Sequence, residues 1–164
     1  MANRNKQVLK HQAQVLEEGE QLLATLLTLP HGGVKQVGIA GGVAGQLGAA
    51  GASAGIQAGV ARAIDKAQVD GDSMAARFPV GLLLISVTDQ RVLVFERPSV
   101  QSVKPERLVA EFPKDWLARS SSTKAFLKSN LTLEFNDGST LQLDSGAFQG
   151  IGRFHDAVAR PPDG

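Results

Sequence analysis

From about Phe78 onward, short apolar runs alternate with polar turn residues. Val80–Thr88 is almost wholly apolar, and Asp89-Gln90 separates it from Arg91–Arg97, where apolar residues occupy both faces of an extended chain. The pattern predicts two strands joined by a tight turn. The two faces of the second strand carry Val92 with Val94, and Leu93 with Phe95.

Two further strands are predicted in the middle of this half. Arg107–Phe112 has strand composition, and Pro113 ends it because proline cannot donate to a ladder. Trp116–Thr123 is a candidate for the next strand. Within it, Ser120–Thr123 is read as a flexible or edge-strand stretch, since no neighbouring base accompanies the serines.

The clearest hairpin is Asn130–Gly146, where apolar and polar residues alternate on both sides of Asn136-Asp137-Gly138. This turn sequence tolerates positive φ, and Asp137, like Asp89, is best explained as a turn former. Between Ala147 and Arg160 the apolar spacing predicts a C-terminal helix. Its apolar face comprises Phe148, Ile151, Phe154, Ala157 and Val158.

The N-terminal region predicts a helix followed by a strand. Apolar and small polar residues at helical spacing predict a helix over Asn5–Glu17 that ends near Gly19. Leu22–Leu29 suits a helix by propensity, so a continuous helix to Leu29 is an alternative. The interruption at Glu18–Glu20 favours a first strand instead.

Residues 31–77 form an insertion of unusual composition. Gln36–Ala61 carries no charge and consists largely of glycine and alanine. Glycines four residues apart line one face of a helix and let another backbone approach closely. The candidate interaction residues are therefore Gly38, Gly42, Gly45, Gly51, Gly55 and Gly59.

Four structures are open for this segment. Its length suits a transmembrane helix, but glycine, Gln46, Ser53 and Gln57 dilute its hydrophobicity. It also suits a glycine-zipper helix that pairs with another copy, or an Ala/Gly helix packed on the β domain. Because each glycine costs about 1 kcal/mol in a helix relative to alanine, the segment is expected to be helical only when packed, with a mobile segment as the next alternative.

The predicted fold class is therefore mainly β with α. An N-terminal helix (1–20) precedes a β domain (21–30 and 78–160) of about seven antiparallel strands capped by a C-terminal helix. The Gly/Ala-rich insertion (31–77) interrupts the β domain, and residues 161–164 form a disordered tail.

Composition narrows the function classes. The net charge of +1 argues against an electrostatic nucleic-acid binder. The absence of cysteine removes disulfides, thiolate catalysis and cysteine-based zinc sites. No apolar run follows the basic N-terminus, so a cleaved signal is not expected. A cytoplasmic location is expected, with membrane association as an option.

No motif predicts enzymatic chemistry or a cofactor. The glycine run lacks the spacing of a dinucleotide fingerprint, and the chain contains no Gly-Lys pair for a phosphate loop. His11, His31 and His155 are far apart and lack a second ligand at helical spacing. His155 is expected to be a surface residue on the last helix. We therefore expect a protein that is not an enzyme and binds no metal or cofactor.

One stretch is rich in positive charge. The candidate basic residues are Lys104, Arg107, Lys114, Arg119, Lys124 and Lys128. Mixed charge of this kind usually marks a solvated surface. The alternative is a patch for an anionic ligand or lipid headgroup, with Trp116 as an interface anchor or as a core residue.

The pattern resembles bacterial PH-like (pleckstrin-homology-like, including GRAM-type) domains. Leu82–Glu96 resembles the family's hairpin of an apolar strand, Thr-Asp-x-Arg and a second apolar strand, and Leu131–Leu143 resembles its penultimate hairpin with a Phe-x-Asp-Gly turn. Val15–Leu29 resembles the Gly-Glu segment that opens the first strand. The insertion lies outside the resemblance.

The resemblance implies a bent, seven-stranded barrel or sandwich with the last helix plugging one end. It also implies binding of peptides, partner proteins or phosphoinositide-type lipids. Phosphoinositide readers typically carry a Lys/Arg cluster between the first two strands. Here Gln36–Ala61 is uncharged, which argues against that ligand.

The function expected from the sequence is a non-enzymatic PH-like interaction module. The glycine-rich segment would give it self-association or peripheral membrane contact, and a protein partner is expected. One alternative is a small-molecule or lipid carrier with an apolar cavity lined by Leu84, Phe95, Phe135 and Phe154. A structural or regulatory role is a further alternative.

Overall fold

The computed structural model describes Lys10 and Ser102 together with residues 12–31, 71–99, 104–125, 128–146 and 150–162. Besides the helical residues Lys10 and Gln12, the described residues include two α-helices, α1 (Met74–Arg77) and α2 (Ile151–Ala159), and Lys114–Trp116 forms a 3-10 turn. The strands are β1 (Leu22–Pro30), β2 (Leu83–Thr88), β3 (Arg91–Glu96), β4 (Arg107–Pro113), β5 (Leu117–Lys124), β6 (Lys128–Phe135) and β7 (Thr140–Gly146).

All seven strands belong to one antiparallel sheet with the order β4-β3-β2-β1-β7-β6-β5. β1 lies between β2 and β7, which places β4 and β5 at the two edges. The prediction of a mainly β fold with about seven antiparallel strands and a C-terminal helix is confirmed. The arrangement is consistent with the PH-like fold that the resemblance implies.

The first strand follows Glu18–Glu20, as the interruption there indicated. β1 pairs with β2 on one side, with Leu26 opposite Ile85, and with β7 on the other. Every residue from Ala24 to Pro30 is buried. A strand in the middle of a sheet with both faces covered needs apolar residues throughout, which explains why this one also has the composition of a helix.

Side chains from both halves of the sheet meet in one inner core. The ring of Phe78 stacks on Phe112 of β4, with centroids 5.6 Å apart, and tilts against Phe135 of β6 at 5.8 Å. Because β4 and β6 lie in opposite halves of the strand order, the sheet curls around these rings. Burying one large apolar side chain in such a core contributes about 1.5–3 kcal/mol.

A second apolar cluster covers the outer face of β1, β2 and β3. It consists of Leu27, Leu84, Leu93 and Phe95, and Val15, Leu16 and Leu22 pack against it. Val92 and Val94 of β3 belong to the inner core instead. The predicted division of β3 between two faces is therefore confirmed.

The N-terminal segment is held on this outer face by a buried hydrogen bond. Gln12 is fully buried, and its Nε2 donates to Ser86 Oγ on β2 at 3.0 Å. Lys10 and Gln12 are helical and residues 13–15 form a turn, so the helix ends before the predicted Glu17. Residues 1–9 lie outside the described residues.

The local hydrogen bonds explain this early end. The N–H groups of Val15 and Leu16 both donate to the carbonyl of Gln12. The carbonyl of Val15 accepts from Arg91 Nη2 at 2.8 Å. The Arg91 side chain on β3 thus occupies the Val15 carbonyl, which would accept a backbone hydrogen bond in a further helical turn.

The C-terminal helix packs on the inner side of the sheet. Phe154, Ala157 and Val158 of α2 are buried, which confirms most of the predicted apolar face. Gly150 precedes the helix with φ of 72°, a left-handed conformation that glycine adopts at little cost. The helix therefore begins after the predicted Ala147; residues 147–149, including Phe148, lie outside the described residues.

Candidate functional site

β5 is an edge strand with an exposed outer side. Residues 118–125 are exposed apart from the half-buried Ser120 and Ser122. Arg119–Lys124 pairs with β6 residue by residue, and the irregularity in this pairing lies before it, between Leu117 and Arg119. The outer side of an edge strand presents unpaired N–H and C=O groups. Among the described residues no strand pairs with this side of β5, so it offers a regular row of such groups, as the predicted edge-strand interpretation of the serines implied.

The opposite edge, β4, is less regular. Its pairing with β3 shifts in the middle of the strand, so that Val94 faces Ala110 and Phe95 faces Leu108. Such an irregularity bends an edge strand and disrupts its ladder. β4 also ends in Pro113, which has no N–H to donate. Of the two edges, β5 is the better template for an added strand.

A histidine on α2 ties the helix to β5. The His155 ring places Nδ1 2.7 Å from Ser120 Oγ and Nε2 2.9 Å from Ser122 Oγ. A neutral imidazole donates from one nitrogen and accepts at the other, so one serine accepts a hydrogen bond and the other donates one. The ring spans two neighbouring inward positions of the strand and clamps it to the helix.

Burial lowers the pKa of His155 below its usual value of 6.5, although the nearby Asp156 carboxylate opposes this. The ring is therefore neutral at physiological pH, with one nitrogen as donor and the other as acceptor. A nucleophilic serine with a histidine base usually has a carboxylate on the second ring nitrogen. Here that nitrogen faces a second serine.

One sequence-based expectation was wrong at this cluster, because Ser120–Thr123 does have a neighbouring base. His155 lies on the last helix as expected, and it is half-buried against the sheet. The contact joins residues that are distant in sequence, so no local spacing predicts it. The available signal was the alternation of Ser120 and Ser122, which places both on one face of a strand.

A second polar cluster joins β1, the β2–β3 turn and the N-terminal segment. Arg91 donates from Nε to Glu20 Oε1 at 3.0 Å and from Nη2 to Glu20 Oε2 at 2.9 Å. Thr88 Oγ1 donates to Glu20 Oε1 at 2.7 Å. Asp89 Oδ1 accepts from the N–H of Gln21 at 2.9 Å.

These contacts join two of the motifs that carry the resemblance to PH-like domains. The Gly-Glu segment supplies Glu20, and the Thr-Asp-x-Arg turn supplies Thr88, Asp89 and Arg91. Burial alone raises the pKa of Glu20, but hydrogen bonds from Arg91, from the Glu17 backbone and from Thr88 outweigh it and lower the pKa below 4.5. The same hydrogen bond to Glu20 raises the pKa of Arg91. The motifs thus meet in one ion pair that fastens β1 to the β2–β3 hairpin.

The six candidate basic residues are not all presented to solvent. Lys114 and Lys128 are buried, and Lys128 Nζ lies 2.8 Å from Asp144 Oδ2. The other four are exposed. Arg107 pairs with Glu96 and Arg119 with Glu134, each across neighbouring strands. Trp116 is half-buried and stacks on Phe112, with centroids 4.6 Å apart.

The six candidate glycines lie outside the described residues, but both ends of the insertion are described. At its start, His31 Nδ1 lies 3.1 Å from Asp144 Oδ1 on β7. At its end, the N–H of Met74 donates to Asp137 Oδ2 at 2.7 Å, in the β6–β7 turn. Both ends of the insertion are therefore fastened to the β6–β7 hairpin, one at Asp144 within β7 and the other at Asp137 in the turn.

The four residues proposed to line a carrier cavity divide between two clusters. Leu84 and Phe95 belong to the outer cluster, whereas Phe135 and Phe154 belong to the inner core. The sheet itself separates the two sets. A carrier function would need a different set of lining residues.

Within the part of the chain that the structure describes, no helix is both long and apolar enough to cross a bilayer. In the same ranges no group of three or more histidine, aspartate or glutamate side chains is arranged to hold a metal ion. Comparisons with protein-family models, curated proteins and solved structures gave no match to this chain.

Proposed function

We propose that this protein is a non-enzymatic interaction module of the PH-like type. It binds an extended segment of a partner protein along the outer edge of β5. The observation that carries the proposal is the regular, exposed edge formed by Arg119–Lys124 beside α2. Binding of peptides and partner proteins is also what the resemblance to PH-like domains implies.

The PH-like assignment is supported by the strand order and by the helix packed on the sheet. It is supported further by the residues of the resemblance, because Glu20 of the first motif binds Thr88 and Arg91 of the second. Two weak sequence motifs thus have one joint structural role.

Strand addition supplies the affinity in this proposal. An extended segment beside β5 would form backbone hydrogen bonds with its unpaired N–H and C=O groups. Each such bond contributes about 0.5–1.5 kcal/mol after exchange with water. The clamp of His155 on Ser120 and Ser122 holds β5 in place beforehand, which reduces the ordering cost of binding.

The surface of α2 next to this edge leaves room for partner side chains. Gly152 and Ala159 lie three residues before and four residues after His155, so they share its face of the helix. Both are exposed, and a Cβ placed on Gly152 would meet no atom within 4 Å. Small residues here let an added strand lie close to the helix.

A photo-crosslinking amino acid at Ser121, on the exposed edge, tests this function. The same amino acid at Gln142, exposed on β7, is the control. We expect Ser121 to capture a partner through one extended segment, and a synthetic peptide of that segment to shift the amide resonances of Arg119–Lys124. Equal capture from both positions, or a peptide that leaves these resonances unmoved, would contradict the proposal.

For the Gly/Ala-rich segment we propose self-association or membrane contact, on the glycine spacing alone. The test is deletion of residues 32–61, followed by measurement of the oligomeric mass and of the membrane-bound fraction at high salt. An unchanged mass and an unchanged membrane fraction would remove both roles.

A further inference from the structure

We infer that the segment bound at the β5 edge is acidic, with two carboxylate side chains at the spacing of Arg119 and Lys124. This inference rests on the proposed function and names the chemistry of the partner. It follows from the charges of β5, from their positions on the strand and from a comparison with β4.

Every charge on β5 is positive. Leu117–Lys124 contains Arg119 and Lys124 and no aspartate or glutamate. Lys124 is exposed and forms no ion pair with the described residues. Arg119 lies 3.1 Å from Glu134, but the two side chains are 71% and 39% exposed, so water screens the pair. Both cations can therefore attract a further carboxylate.

The two cations lie near opposite ends of the regular edge and on opposite faces of the strand. Arg119 is opposite Glu134 of β6, and Lys124 is opposite Ser129. Because side chains alternate along a strand, an odd separation places the two on different faces. A strand added to β5 would therefore meet one cation on each face, and its own carboxylates need the same spacing.

The comparison with β4 shows that this charge is specific to one edge. β4 carries both signs, since Arg107 pairs with Glu96 and Glu111 pairs with Arg91. A second copy of β5 is a poor partner for β5, because two purely cationic strands would meet and like charges across a ladder are destabilising. The occupant that fits this edge is an acidic segment of another protein.

The experiment is a titration of the isotope-labelled full chain with two capped peptides, TEVTVTET and TKVTVTKT, monitored through backbone amide resonances. The peptides have the same neutral strand-forming residues, and their charged residues have the spacing of Arg119 and Lys124. We expect the acidic peptide to shift the amides of Arg119–Lys124 and to bind about tenfold more tightly than the basic one.

A double variant, Arg119→Glu with Lys124→Glu, should reverse this preference. The matched control, Lys104→Glu with Arg107→Glu, makes the same change of charge away from β5 and should leave the preference unchanged. Equal binding of both peptides at β5, or tighter binding of the basic one, would overturn the inference and leave the proposed function standing. If neither peptide shifts the β5 amides, the proposed function fails and the inference fails with it.

Discussion

Arg91 donates two hydrogen bonds to the carboxylate of Glu20, of 3.0 Å and 2.9 Å, and the Glu20 side chain has no exposed surface. The same guanidinium reaches the Val15 carbonyl. It therefore fastens the N-terminal segment over the outer apolar cluster as well as β1 to the β2–β3 turn.

Replacing Arg91 should be among the most destabilising polar substitutions in the chain. Arg91→Ala leaves a buried carboxylate without its partner, which typically costs about 3–5 kcal/mol of unfolding free energy. Urea denaturation measures this loss. Arg107→Ala, which breaks the exposed pair with Glu96, is the control and should remain close to the wild type. Equal stability of the two variants would contradict the role given to Arg91.

The hydrogen bonds of His155 with Ser120 and Ser122 predict that neighbouring serines of β5 differ in their contribution to stability. Ser122→Ala removes the partner of a half-buried ring nitrogen and should cost about 1 kcal/mol. Ser121 is exposed on the other face of β5, so Ser121→Ala should have almost no effect. Chemical denaturation of both variants is the test, and a Ser121→Ala variant as unstable as Ser122→Ala would argue against the clamp.

His155 also predicts a dependence of stability on pH. Its pKa is lower in the folded protein than the usual 6.5, so the unfolded chain binds more protons as the pH falls below that value. The contribution of His155 is complete above pH 6.5 and is lost as the pH falls towards the folded pKa. Chemical denaturation at a series of pH values from above 6.5 downwards should show a smaller loss of unfolding free energy for His155→Gln than for the wild type. An equal loss in both proteins would exclude His155 as its source.

The buried pair of Asp144 and Lys128 should behave as a unit. Asp144→Ala leaves the buried Lys128 ammonium without this carboxylate and should destabilise the fold by about 3–5 kcal/mol. The double variant, Asp144→Ala with Lys128→Ala, should lose less unfolding free energy than the two single variants lose in sum, because either single change already removes the interaction. A double-mutant cycle measures the difference, and strict additivity would show that the two side chains are not coupled.

Much of the fold could be predicted from the chain because period-two alternation and turn residues report strands directly. Asn136-Asp137-Gly138 and the alternation around it indicated the β6–β7 hairpin, and the spacing of Phe154 and Val158 indicated the last helix. β1 was harder, since its residues from Ala24 to Pro30 are all buried and show no alternation. The early end of the first helix depends on Arg91, a residue distant in sequence.

The candidate site was less predictable because it depends on the order of strands. That Ser120–Thr123 lies on an edge was one reading of its polar composition, but the contact with His155 required α2 to pack against β5. Lys114 and Lys128 are buried, and their burial could not be predicted from the sequence either. A lysine in a basic stretch is expected at the surface, whereas burial of Lys128 depends on Asp144 from the neighbouring strand.

Amide hydrogen exchange along β5 tests the central claim most directly. In the free protein, the amides of Arg119–Lys124 that point away from β6 have no partner strand among the described residues and should exchange fast. When the peptide TEVTVTET is bound, these alternate amides should be protected, whereas the amides of β4 should be unchanged. Protection of β4 instead, or a bound peptide that leaves β5 exchange unaltered, would contradict the assignment of β5 as the binding edge.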